Sequence, residues 1–157
     1  MPRTPPEQIE FRYDEWEPVL ERMNELSREG TGWINLFPET VDEEIDRPPS
    51  GSSVFGTLFR NQAPEVPLGT WTARTDKAPA SVGISHAVRQ KVAPTLVQAG
   101  IVAPTTWRLV QDNARRGIVV RVPDDEQPEQ VLSWLMSAID ELCPVQITGQ
   151  WLAEIHR

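Results

Sequence analysis

The sequence VQDNARRGIVVRV contains two adjacent arginines and is the segment whose residue types most suggest binding chemistry. The guanidinium groups of Arg115 and Arg116 could hold a carboxylate or a phosphate, because arginine offers two parallel N–H donors to such groups. A hairpin turn explains the same sequence, since Asp112 and Asn113 favour turns and Gly117 tolerates the positive φ that closes a short loop. We favour the turn, with both arginines solvated, and keep a small anionic ligand as the alternative.

A second candidate site lies where Ser85 and His86 follow a predicted strand and precede a predicted helix. The N–H groups of a helix N-terminus bind anions, but no glycine-rich run with phosphate-loop spacing accompanies this turn. With Asp112, these side chains supply the residue types of a nucleophile, a base and an orienting acid. Neighbours at a strand end point in different directions, so we predict a capping Ser85, a half-exposed His86 and no catalytic residue. Ser85, His86, Arg115 and Arg116 are the candidate ligand-binding residues.

The chain has few residues that could form a metal site or a disulfide: one cysteine, Cys143, and two histidines. One cysteine excludes an internal disulfide and a cysteine-cluster metal site. Two histidines leave few ligands for any other zinc site. The acidic residues 42–46 lack the alternating oxygen ligands and the glycine of a calcium loop. We therefore expect no metal and no cofactor.

The net charge of −8 is unevenly distributed. Residues 1–65 carry 14 acidic and 6 basic residues, whereas residues 66–157 carry 9 of each. An acidic chain is poorly suited to nucleic acid, whose binding depends on neutralising phosphates with lysine and arginine, and to anionic membranes. The acidic residues 39–46 are equally available as an internal partner for the paired arginines.

Long apolar segments in a sequence indicate membrane helices or signal peptides, and so bear on the location of the protein. No segment approaches the roughly 18 apolar residues of a membrane helix, and residues 1–20 are acidic and lack the apolar core of a signal peptide. We expect a cytoplasmic protein without membrane contact.

The hydrophobic pattern predicts alternating helices and strands. Residues 1–10 are proline-rich and are expected to be loose. In the first half of the chain we predict a helix at 13–30, a strand at 32–38, a short helix at 52–60 and an extended segment at 70–74. In the second half we predict strands at 81–86, 106–112, 117–123 and 145–155, and helices at 89–100 and 128–143. Pro94 favours a late start of the 89–100 helix.

The order β-α-β-β-α-β over residues 80–157 predicts an α+β fold with a ferredoxin-like core. Residues 1–79 form an acidic, helix-containing N-terminal extension of the same single domain. We expect this extension to cover the open face of the sheet, which would carry Val110, Val119 and Leu152. An uncovered face would serve as a dimer interface or a ligand shelf.

Three features of the C-terminal half resemble a group of small uncharacterised proteins from actinobacteria. They are the paired arginines before a glycine in QDNARRGIVV, the helix sequence VLSWLMSAI, and the Thr148, Gly149 and Trp151 pattern. The resemblance covers roughly the last half of the chain and implies a bacterial, cytoplasmic protein. It implies no catalytic residue.

Six tryptophans are spread along the chain, and most are expected in the core. Trp134 lies at the margin of its helix stripe and is our candidate for an interface, including a homodimer interface.

Three functions follow from these features. We favour a non-catalytic interaction or small-ligand-binding module. The alternatives are a small enzyme acting on an anionic substrate through Ser85, His86 and the two arginines, and a nucleic-acid-associated protein.

Overall fold

The computed structural model describes residues 5–41 and 66–157. These parts of the chain form a mixed α+β structure with seven antiparallel strands in one sheet and three helices. The strands are β1 (Glu7–Arg12), β2 (Trp33–Thr40), β3 (Leu68–Thr72), β4 (Ser81–Ser85), β5 (Arg108–Asn113), β6 (Gly117–Arg121) and β7 (Ile147–His156). The helices are α1 (Glu17–Glu29), α2 (Ala93–Gln98) and α3 (Pro128–Leu142). The helix predicted at 52–60 lies outside the described residues.

The sheet order is β1-β7-β2-β3-β4-β6-β5. The strand at 81–86 pairs with that at 117–122, as the predicted core requires, and β5 and β6 form the predicted hairpin. The four-stranded ferredoxin-like sheet itself is not confirmed, because β2 and β3 lie between β4 and β7. Strands from the N-terminal part therefore extend the sheet within its own plane, rather than only covering one of its faces.

Residues 1–10, expected to be loose, include most of β1, so that expectation is wrong for residues 7–10. Ile9 and Phe11 lie on the helix-covered side, opposite Ala153 and Trp151 of β7. We missed this strand because its alternating pattern covers only six residues and follows a proline-rich segment. An edge strand that hydrogen-bonds on one side tolerates the intervening polar side chains.

The helices lie on one face of the sheet because their apolar stripes and the inward side chains of the strands must be buried together. Helix α3 packs across β2, β3 and β4, and α1 packs against α3. Gly69 of β3 allows this close approach, since a Cβ atom there would overlap Ile139 of α3. Helix α2 begins at Ala93 with Pro94 in its first turn, which confirms the late start.

Candidate functional site

The two arginines lie in the turn of the β5–β6 hairpin, and both are exposed. Their backbone N–H groups donate to Oδ1 of Asn113 at 2.8 Å (Arg115) and 2.9 Å (Arg116). Asn113 thus closes the turn with its side chain, as short polar side chains do in such turns. Gly117 has a φ of +92°, and a Cβ atom there would overlap the carbonyl oxygen of Ile84.

Asp112 has a different role from the turn residue that we predicted. Its carboxylate accepts hydrogen bonds from the backbone N–H groups of Val92 (2.9 Å) and Ala93 (3.0 Å) at the start of α2. Both oxygens of the carboxylate are therefore used to cap a helix that arrives from elsewhere in the chain. The sequence suggested that an external anion could bind at the start of α2. In the structure the Asp112 carboxylate already occupies this position.

His86 is buried, with 7% of its surface exposed, and not half-exposed as predicted. Its Nδ1 accepts a hydrogen bond from the backbone N–H of Val88 at 3.3 Å, so the proton of the neutral ring is on Nε2. Nε2 is itself buried and has no hydrogen-bond partner among the described residues. Burial lowers the pKa of His86 from its ordinary value, and the nearby Asp112 carboxylate opposes this shift only in part.

These contacts do not assemble a catalytic group. The lone pair of His86 is already engaged by a backbone donor, so the ring is not a general base in this conformation. Asp112 orients α2 rather than the imidazole, and no hydrogen bond joins Ser85 to His86. Ser85 is exposed at the end of β4, and its hydroxyl oxygen accepts no hydrogen bond from the backbone N–H groups at the start of α2.

The predicted interface residue Trp134 lies in the interior, with 7% of its surface exposed. Its ring packs edge-on against Trp107, with ring centroids 5.7 Å apart. A side chain in this position has almost no surface to offer a partner. The helix stripe is wider than we predicted, because α3 is covered both by the sheet and by the chain around Trp107.

Exposed apolar side chains concentrate in the stretch of chain that includes α2 and β5, two elements that the hydrogen bonds of Asp112 connect. Of the eight large apolar side chains exposed in residues 5–41 and 66–157, five lie between residues 88 and 110. Four of these belong to α2, to the segment that follows it and to β5, and we refer to them as the edge surface: Val97, Val102, Leu109 and Val110. Among the strands of the described residues, β5 lies at one edge of the sheet and pairs only with β6.

The charge of this edge differs in sign from that of the chain. Residues 108–121 contain four arginines and one aspartate, a net charge of +3, although the whole chain carries −8. The residues outside this hairpin therefore carry −11. The opposite edge strand, β1, carries Glu7 and Glu10.

The sheet face opposite the helices holds a group of side chains that our sequence reasoning did not connect. Trp33 of β2 and His156 of β7 are directly opposite each other, and their rings are stacked with centroids 4.7 Å apart. Nε2 of His156 lies 2.7 Å from Oε1 of Glu154. Strand alternation in the two segments was the available signal, since it places all three side chains on one face once the pairing is known.

No group of three or more histidine, cysteine, aspartate or glutamate side chains that could hold a metal ion occurs within the described ranges. Likewise, none of the helices formed by residues 5–41 and 66–157 has the length and apolar character needed to cross a membrane.

Comparison with known proteins gives no relative for this chain. A scan against protein-family models, a search of curated proteins and a search of solved structures each found no match.

Proposed function

We propose that the protein is a non-catalytic interaction module whose edge surface binds an acidic, partly apolar segment of a partner protein. The observation that carries this proposal is the concentration of exposed apolar side chains on α2 and β5. Clustered exposed apolar residues mark binding surfaces, whereas scattered ones need no explanation. Leu109 and Val110 are each about half exposed, at 50% and 48%.

The sign of the charge supports an acidic partner. Arg115 and Arg116 extend from the hairpin turn at one end of β5, and Arg108 lies at the other. Complementary charge speeds association and excludes partners of the same sign. Because the rest of the chain carries −11, an acidic segment is attracted to this edge and repelled from most of the remaining surface.

A protein segment suits this surface better than a nucleic acid does. Four arginines on a hairpin provide few phosphate contacts, and the net charge of −8 on the whole chain repels a polyanion. The apolar side chains of the edge surface need apolar groups to cover them. A polypeptide that alternates acidic and apolar residues supplies both.

The backbone of β5 offers further contacts along its outer side. An edge strand presents unpaired N–H and C=O groups that can pair with an added strand. A bulge lies between Leu109 and Gln111, however, and interrupts the regular register with β6. We therefore expect side chains of the edge surface to contribute more to binding than a long ladder of backbone hydrogen bonds.

The direct test is fluorescence anisotropy with labelled 12-residue peptides of alternating glutamate and valine. Matched peptides with lysine in place of glutamate, or serine in place of valine, are the comparison. We expect the first peptide to bind most tightly and to weaken as salt is raised. The double substitution Leu109→Ser/Val110→Ser should reduce its affinity about ten-fold, because two half-exposed anchors are removed.

Val145→Ser is the matched control, because Val145 is similarly exposed (41%) but lies in the turn before β7. Equal binding of the acidic and basic peptides, or equal affinity of the double variant and the unmodified protein, contradicts the proposal.

Sedimentation of the protein alone and competition by single-stranded DNA complete the test. A dimer that the double variant abolishes would assign the edge surface to a second copy of the chain, and preferred binding of DNA would assign it to nucleic acid. Either result replaces our proposal.

A further inference from the structure

The strand register aligns six side chains in one row across the sheet face opposite the helices. Each is directly opposite the next across a strand pair. In order across the sheet, the row is His156, Trp33, Thr72, Ser81, Arg121 and Arg108.

Trp33 is held in place at one end of this row. His156 stacks on one face of its indole ring with an interplanar angle of 6°, and Glu154 fixes the imidazole through the 2.7 Å contact with Nε2. Trp33 nevertheless remains 41% exposed. Because His156 covers the ring from the β7 side, the free face of the indole is directed towards β3.

Two arginines stand at the other end of the row. Arg121 and Arg108 are cross-strand neighbours and both are exposed. Neither has an ion-pair partner in the described parts of the chain. Like charges directly opposite each other destabilise a strand pair, and an oxyanion bound by both guanidinium groups removes that repulsion.

The residues between the two ends are short. Thr72 and Ser81 provide hydroxyl groups on short side chains between Trp33 and Arg121, and we refer to this part of the row as the slot. The slot spans three strand spacings, which is about 14 Å.

We propose that this slot binds a mononucleotide, with the base stacked on Trp33 and the phosphate held by Arg121 and Arg108. A stacked ring lies about 4.5–7 Å from the indole centroid, which leaves about 7–10 Å to the strand of Arg121. A base joined to a phosphate through a sugar fits this separation, whereas a carboxylate attached directly to a ring is too short. Thr72 and Ser81 donate to or accept from the hydroxyl groups of the sugar. The slot lies on the sheet face, so this activity goes beyond the protein interaction proposed for the edge.

The experiment is isothermal titration calorimetry of the full chain with adenosine 5′-monophosphate, supported by NMR to locate the shifted amides. Adenosine and inorganic phosphate are titrated separately. We expect the nucleotide to bind more tightly than either fragment. Trp33→Leu and Arg121→Gln should each weaken it at least five-fold, because each removes one of the two main contacts. Arg12→Gln, an exposed arginine on β1, should bind as the unmodified protein does.

Three outcomes overturn the proposal. They are the absence of saturable nucleotide binding, equal affinity in the Trp33→Leu and Arg121→Gln variants, and inorganic phosphate binding as tightly as the nucleotide. Because Trp33 contacts His156, circular dichroism must show that the variant is folded. If the Trp33→Leu variant does not fold, Arg121→Gln still tests the proposal, because the exposed side chain of Arg121 makes no ion pair in the described residues.

Discussion

Asp112, on the strand β5, closes the N-terminus of α2 by accepting a hydrogen bond from the backbone N–H of Val92 at 2.9 Å and a second from Ala93. Helix α2 has only six residues and one fully buried side chain, Leu96. A helix this short is not stable by itself in water. The contact from β5 therefore fixes the helix that carries part of the edge surface.

Asp112→Ala should lower the free energy of unfolding by about 1–3 kcal/mol, because it leaves two part-buried N–H groups without their charged acceptor. Asp112→Asn should cost less, since one amide oxygen remains as an acceptor. Urea denaturation measures both effects. Asp125→Ala, at an exposed position before α3, is the control and should change stability by no more than about 0.5 kcal/mol. A loss in Asp112→Ala no larger than in this control would contradict the role of Asp112 as a cap.

Several features of this region could be predicted from the sequence. Alternation in GIVVR predicts that Ile118 and Val120 share one face of the sheet and Val119 and Arg121 the other, and the burial pattern agrees with this grouping. The hairpin turn followed from Asn113 and Gly117, whose local chemistry depends only on near neighbours. Local patterns of this kind are contained within a few residues of sequence.

The remaining features depend on pairing between distant segments. Nothing in the sequence of β7 indicates that it pairs with β1 and β2 rather than with β4. Our placement of the N-terminal strands therefore failed, and so the stack of Trp33 on His156 was missed. The burial of His86 was also unpredictable, because a single histidine after a strand carries no periodic signal.

The buried His86 gives the protein a pH-dependent stability. Its pKa is lowered in the folded protein, so the folded state binds the proton less readily than the unfolded state, whose histidine titrates near 6.5. Above that pH both states are neutral at this site and His86 has no effect. As the pH falls below about 6.5, the unfolded state takes up the proton first and stability decreases until the folded pKa is reached. His86→Gln should make stability less dependent on pH in this window.

Unfolding by urea at a series of pH values checks this expectation, and the quantity to compare is the slope rather than the absolute stability. NMR titration of the ring gives the folded pKa directly. An ordinary or raised pKa for His86, or an unchanged slope in His86→Gln, would show that its burial has no electrostatic cost.

Substituting two glycines allows the cost of backbone strain to be distinguished from the cost of steric overlap. Gly117 and Gly100 both have positive φ, at +92° and +80°. A Cβ atom at Gly100 meets no atom of the described residues within 4 Å, whereas one at Gly117 meets the backbone of Ile84. Gly100→Ala should cost about 1 kcal/mol through its conformation alone. Gly117→Ala should cost about 3 kcal/mol or more, because β4 and β6 must also move apart. Thermal denaturation of the two variants measures the difference in stability. Equal losses of stability would show that β4 can move away from residue 117 at little energetic cost.

The neighbouring Trp107 and Trp134 are equally buried, at 7% exposure each, but differ in the partner of the indole nitrogen. Nε1 of Trp107 donates to Oε2 of Glu126 at 2.7 Å, whereas Nε1 of Trp134 is buried and has no acceptor in the described parts of the chain. Trp107→Phe loses a hydrogen bond to a charged acceptor and should cost about 1.5–3 kcal/mol more than the reduced packing alone. Trp134→Phe loses similar packing but removes an unsatisfied donor, and should therefore be the milder substitution. Denaturant unfolding ranks the two variants. A Trp134→Phe loss equal to that of Trp107→Phe would mean that the nitrogen of Trp134 has an acceptor in solution, such as an ordered water.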